Sequence, residues 1–199
     1  DHDVELAIHN GSAALDVFGF VVLSVSKFDL VKRTGVAIDD GATGPVAPFT
    51  ADVLTVKLTA GGFVGVGGSL SAANDSTATV VTADAVGFSV PSGSSLDLVI
   101  LQNTTTKANK YTGLQASVLD LELVGVTDLT ARVSGDVQVN NGPATGGRLD
   151  WSVATTSGGG AVLPDLNFDE TVEYAIKNGK ASLDVFGFVV LAGDFELVK

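Results

Sequence analysis

Three oxygen-bearing side chains stand at alternate positions late in the chain: Asp165, Asn167 and Asp169, a D-x-N-x-D spacing followed by Glu170. Oxygen ligands at such intervals suit a hard cation, and calcium is the ion they would take. An EF-hand loop would add Gly at its sixth position and Glu at its twelfth, but those places hold Glu170 and Ile176. The competing reading is a strand, LPDLNFDETVEY, with a polar outer face. Asp39 and Asp40, beside Gly41, and Asp1 and Asp3 are weaker candidates, and turn chemistry explains the first pair equally well.

Other chemistry finds little support. His2 and His9 are the only histidines, and a second, closely similar stretch of the chain replaces them with Glu170 and Lys177. That disfavours a catalytic or metal role shared by both copies and points to solvated strand-edge residues. Glycoside cleavage needs two carboxylates across a cleft, and Asp120 with Glu122 is one pair among many in an acidic chain. Nucleophile-elbow, zinc-protease and phosphate-loop motifs are missing, and the glycines of GGFVGVGG, at Gly61 to Gly68, precede no Lys or helix start. In a strand they mark bends or close sheet approach. The sequons Asn74-Asp75-Ser76 and Asn103-Thr104-Thr105 fall in expected loops. Trp151, Tyr111 and Tyr174 could stack on sugars, though core or edge packing accounts for them as readily. The expectation is a protein that is not an enzyme.

What must position these groups is a β-rich framework. Of the 199 residues 45% are hydrophobic and 17% charged, a balance that favours folding over disorder. Val, Leu, Thr and Ala predominate, punctuated by 24 Gly, with no helical periodicity. Mean hydropathy is positive, yet no apolar run reaches the roughly 18 to 20 residues of a spanning helix. One Trp and two Tyr are too few for the aromatic girdles of a membrane barrel. With 23 acidic against 11 basic residues the formal charge is −12, which repels nucleic acid and anionic lipid. Cysteine is absent, so disulfides and thiolate sites are excluded. Position 1 is not Met and no signal-peptide pattern is visible, as expected of a processed chain or an internal piece.

The run LDVFGFVVL occurs at Leu15 to Leu23 and again at Leu183 to Leu191. DHDVELAIHNGSAALDVFGFVVL from residue 1 and DETVEYAIKNGKASLDVFGFVVL from residue 169 agree at 17 of 23 positions. The tails SVSKFDLVK and AGDFELVK then differ by one residue, which predicts a bulge or tight turn at Ser24 to Lys27. Residues 1–168 thus read as one full repeat and 169–199 as the start of the next, in a window taken from a longer tandem array.

Period-two alternation predicts the strands. In ADVLTVKLT, Leu54, Val56 and Leu58 are expected inside, with Thr55, Lys57 and Thr59 outside. In ASVLDLELVGV, Leu119, Leu121 and Leu123 oppose Asp120 and Glu122. In DLTARVSGDVQVN, Leu129, Ala131, Val133, Val137 and Val139 oppose Thr130, Arg132, Ser134, Asp136 and Gln138. Further strands are expected at Val4 to Ile8, Phe63 to Leu70, Ala78 to Thr82, Ala85 to Val90, Leu96 to Leu101 and Leu149 to Thr155. LDVFGFVVL reads as a single strand apolar on both sides, with Leu15, Val17, Val21 and Leu23 on one face and Phe18, Phe20 and Val22 on the other. Its residues Leu15, Val17, Phe18, Phe20 and Val22, with their second-copy counterparts Leu183, Val185, Phe186, Phe188 and Val190, are the candidate inter-unit strand. The fold class is all-β, either a β-sandwich or an elongated solenoid-like stack.

The runs FVGVGGSL, TADAVGFSV, LDLVIL, YTGLQASVLDLELVGVTDLTARVSGDVQVN and LDVFGFVVL, in that order, resemble the tandem β-rich repeats of very large bacterial surface or secreted proteins, some of LEPR-XLL type. The resemblance covers most of the chain and implies an extracellular or cell-surface, repetitive protein with no catalytic residues. Two functions follow as expectations. One is a structural module of a filament, stalk or surface layer, joined to neighbouring repeats or identical subunits by strand pairing. The other is an adhesin module, rigidified by calcium, that binds a glycan or protein surface.

Overall fold

The computed structural model describes residues 4–41, 44–73, 75–156 and 163–199. It is all-β, with no helix among the described residues. Eight main strands form one antiparallel sheet: β1 (Val4–Val17), β2 (Val21–Asp39), β3 (Phe49–Val66), β6 (Val86–Asn103), β7 (Lys110–Val124), β8 (Leu129–Asn141), β10 (Tyr174–Val185) and β11 (Val189–Val198). Their spatial order is their chain order, so every pairing is between successive strands of a meander. Two short strands, β4 (Ser69–Leu70) and β5 (Val80–Val81), pair with each other, and β9 (Thr155–Thr156) pairs with β2. Of the expected Leu149 to Thr155 strand only this last corner is paired.

The alternation is real, but the cover lies against the face opposite the expected one and only toward its two ends, so that Lys57, Thr130 and Arg132 stay exposed as expected. Partners across the ladders share a face, and the face carrying Val36, Ile38, Ala51, Val53, Val99, Leu101, Tyr111 and Ala175 is buried. Leu54, Val56 and Leu58 lie on the opposite, open face, half-buried only by their own neighbours. So do Leu121, Leu123, Val137 and Val139, while Leu119 and Val133 are exposed. Gln138, expected outside, is buried.

The cover is irregular chain. Residues 142–156 and 163–173, between β8 and β10, cross one half of the sheet and place Leu149, Trp151, Leu166, Phe168 and Val172 into the main core. Polar side chains on the sheet pin this cover down. Asn140 donates from Nδ2 to the carbonyls of Leu149 (2.9 Å) and Asp169 (3.0 Å) and accepts the Trp151 indole N–H (2.9 Å). Gln115 accepts the Asn167 N–H, and Gln138 donates to the Asn167 carbonyl. Asp40 accepts the N–H groups of Asp150 (2.7 Å) and Val46 (3.0 Å), and its burial pushes the carboxyl above the usual range. Of these side-chain polar atoms only the Gln138 Oε1 is buried without a partner; the paired ones hold the loops in one arrangement, because breaking any of them leaves a desolvation cost of about 1–3 kcal/mol. A second, smaller core of Val22, Phe63 and Ala85 lies under β4 and β5 at the other end.

Between the two halves the register slips in nearly every ladder at about the same level: at Ile8/Gly11 in β1, Val25/Lys27 in β2, Ala60/Gly62 in β3, Ser89/Ser95 in β6, Val118/Leu121 in β7 and Lys177/Lys180 in β10. The slip in β2 falls within the predicted Ser24 to Lys27 interval. The first hairpin has an additional slip, between Gly11 and Ala13, that the second lacks, which is where its extra residue is absorbed.

Candidate functional site

LDVFGFVVL is a hairpin in both copies, not one strand. Leu15 faces Leu23, Asp16 faces Val22 and Val17 faces Val21, and the chain reverses at Phe18-Gly19. The second copy matches pair for pair, Leu183 with Leu191, Asp184 with Val190 and Val185 with Val189. Both central turn residues have positive φ, 52° and 71° in the first copy and 54° and 69° in the second, which makes this a type I′ turn. Phe in the left-handed region costs roughly 1–2 kcal/mol. The carboxylates compensate: Asp16 accepts the Gly19 N–H at 2.8 Å, and Asp184 accepts the Gly187 N–H at 2.8 Å. The turn is closed by Phe20 N–H to the Val17 carbonyl (3.0 Å) and Phe188 N–H to that of Val185 (2.9 Å).

The two hairpins occupy opposite sides of the sheet. The first, β1–β2, is bonded through β2 to β3 and lies under β4–β5; the outer edge of β1 is open. The second, β10–β11, is bonded through β10 to β8, from Tyr174 opposite Val139 to Val185 opposite Leu129; the outer edge of β11 is open. Equivalent residues therefore differ in burial. Val22 is sealed by Phe63 and Ala85 at 0% exposure, whereas Val190 is 69% exposed. Phe18 is 93% exposed, whereas Phe186 falls to 62% and its N–H donates to the Asp128 carbonyl at 2.7 Å. Phe20 and Phe188 are exposed in both copies, as are Leu15 and Val17, while Leu183 and Val185 are half-buried against β8.

Smaller features repeat as well. Asn10 and Asn178 both have positive φ. The Phe28 ring covers Gly11, where a Cβ would come within 2.3 Å of it, and the Phe195 ring covers Gly179. The Asn10 N–H binds the Asp29 carboxylate (3.0 Å), which also contacts the exposed His9 (3.2 Å). The Asn10 N–H and then His9 hold the Asp29 carboxyl below its usual range. In the second copy the Asn178 side chain reaches Asp136 on β8 instead, at 2.7 Å.

The other candidate groups are occupied locally. Asp165, Asn167 and Asp169 project outward, alternating with buried Leu166 and Phe168. The Asp169 carboxylate accepts both the hydroxyl (2.5 Å) and the N–H (2.9 Å) of Thr171, contacts that hold its carboxyl below the usual range. Among the described residues no three His, Asp or Glu side chains converge as a metal site. Arg132 bridges Asp120 and Glu122, so these two neutralise one cation rather than face a cleft. Trp151 and Tyr111 are core residues, Tyr111 stacking obliquely on Phe49 at 5.1 Å, and Tyr174 lies beneath the Lys199 ammonium. Asn103 caps the β6–β7 turn by accepting the N–H groups of Thr105 and Thr106. His2, Asp1, Asp3 and Asn74 lie outside the described residues. No helix among the described residues is long and apolar enough to cross a membrane.

The chain matches no protein-family model, no curated protein and no solved structure.

Proposed function

We propose that this chain is a structural repeat module of an extracellular filament, stalk or surface layer, whose units join by adding the hairpin of one unit to the sheet of the one before. The observation that carries this reading is the complementary placement of the two hairpins. If β10–β11 is the β1–β2 of the following unit, then the β8–β10 ladder is the junction, and each hairpin shows the half of its surroundings that the other lacks. A central unit would have Phe18 against the preceding Asp128 and Val190 under the following Phe63. Main-chain pairing supplies the bond, as in strand addition, and repetition leaves open edges only at the array ends.

On this reading the spacing follows from the strand count. From β1 to β10 there are six main strands, β1, β2, β3, β6, β7 and β8, and at about 4.8 Å each they advance roughly 29 Å per repeat. Electron microscopy of a chain containing several consecutive repeats should show an unbranched fibre with that axial period. Beads of unrelated spacing, or a β11 edge left unprotected from hydrogen exchange when the next unit is present, would refute continuous pairing.

A further inference from the structure

From the Leu54 row to the hairpin turns the open face of the sheet is apolar, with Lys32 opposite Leu54 and Asp52 beyond it marking the charged end. It carries Leu54, Val56, Leu58, Val64 and Val66 on β3, and the strands beside β3 continue the same surface with residues such as Leu98 and Phe88. Val64, Val66 and Phe88 are 55%, 60% and 44% exposed. Between the Leu54 row and the hairpin turns no Asp, Glu, Lys or Arg lies on this face in any main strand, although the chain carries a formal charge of −12. The charged side chains gather on the other face, where Lys57 meets Asp97 and Arg132 meets Glu122. The rings of Phe28 and Phe195 pack closely against Gly11 and Gly179 of the neighbouring strand.

The seven spacings between eight strands, at about 4.8 Å each, and roughly a dozen residues at about 3.3 Å make a patch on the order of 1,300 Å². That exceeds the few hundred Å² that a soluble monomer usually exposes, and the roughly 800 Å² per partner of a stable interface. We infer that this face is covered by the same face of a second copy of the chain, forming a two-sheet sandwich with the sheets about 10 Å apart. A second copy offers an equal uncharged area, and stacking turns both acidic faces outward, so burial is not opposed by like charge. This interface uses a face whereas the array junction uses an edge, so either can fail alone.

Analytical ultracentrifugation of the 199-residue chain tests it. A dimer is expected, weakened at least a hundredfold by Leu98→Glu with the β-sheet circular dichroism retained, and unaffected by Val190→Lys on the open edge. Because the chain has no Cys, Leu98→Cys labelled with pyrene gives a second readout with little perturbation of the fold: excimer emission is expected there and not from Val190→Cys. A monomer without excimer emission, or a dimer dissociated only by Val190→Lys, overturns the proposal. So does a monomer that floats with phosphatidylcholine vesicles, which would assign the face to lipid.

Discussion

Two hairpins of nearly the same sequence meet different neighbours at the two sides of one sheet. The first has its β2 side covered and its β1 side bare, and the second has the reverse. Backbone register, turn conformation, Asp-to-Gly turn bond and Phe-over-Gly contact persist in both, so these belong to the hairpin itself. Burial of Val22 and the Asp128 bond to Phe186 appear once each, so these belong to the surroundings. The local conformation is the same beside either neighbour, while much of the hydrophobic stabilisation is not.

The largest test of that division is Phe63→Ala. Emptying the second core should cost about 3–5 kcal/mol, and hydrogen exchange should localise the loss to the tip of β1–β2, leaving β10–β11 protected as before. Uniform deprotection would show that the hairpins are not separate in energy. Next, Val22→Ala should cost about 2 kcal/mol in chemical denaturation, and Val190→Ala less than about 0.5. Extending the chain beyond Lys199 with the sequence of residues 33–85 should raise the second value to the first. Equal effects in the present chain would contradict the burial difference.

Relief of the turn strain comes third. Phe18→Asn should stabilise by roughly 1 kcal/mol, because Asn tolerates the left-handed region and is preferred in type I′ turns. Phe186→Asn should gain less, because the ring it removes is partly covered. The smallest effect concerns pH. Asp29 is more acidic folded than unfolded, so its contribution is present above about pH 4 and is lost as pH falls through its lowered value. The Asn10 amide resonance should titrate with it, and Asn10 should cease to do so in Asp29→Asn.

The repeat, the all-β class and the alternation of faces were legible because they rest on local pattern. Alternation says that two faces differ; it does not say which one is covered. Leu54, Val56 and Leu58 look like the inside of a sheet, yet within this chain the cover lies over Ala51 and Val53, held by Asn140 and Asp40. That cover has no periodic signature long enough to betray it, and its short alternations, such as Leu149 with Trp151, imitate a strand. The hairpin was hidden for a related reason. Phe-Gly is not a usual type I′ pair, and the only clue was the mirrored order of Leu, Val and Val, Leu about it, with Asp16 placed to bind the turn. Asp165, Asn167 and Asp169 were legible as an outward-facing set, because buried Leu166 and Phe168 alternate with them.

The aligned register slips carry a mechanical consequence. One bulge bends one strand and adds local twist. Where neighbouring strands are bent at a common level, the separate bends would line up as a crease running across the strands, dividing the sheet into two panels. Repeated along an array, a creased ribbon is stiffer against bending along its length than a flat one of the same thickness, as corrugated board is stiffer than paper.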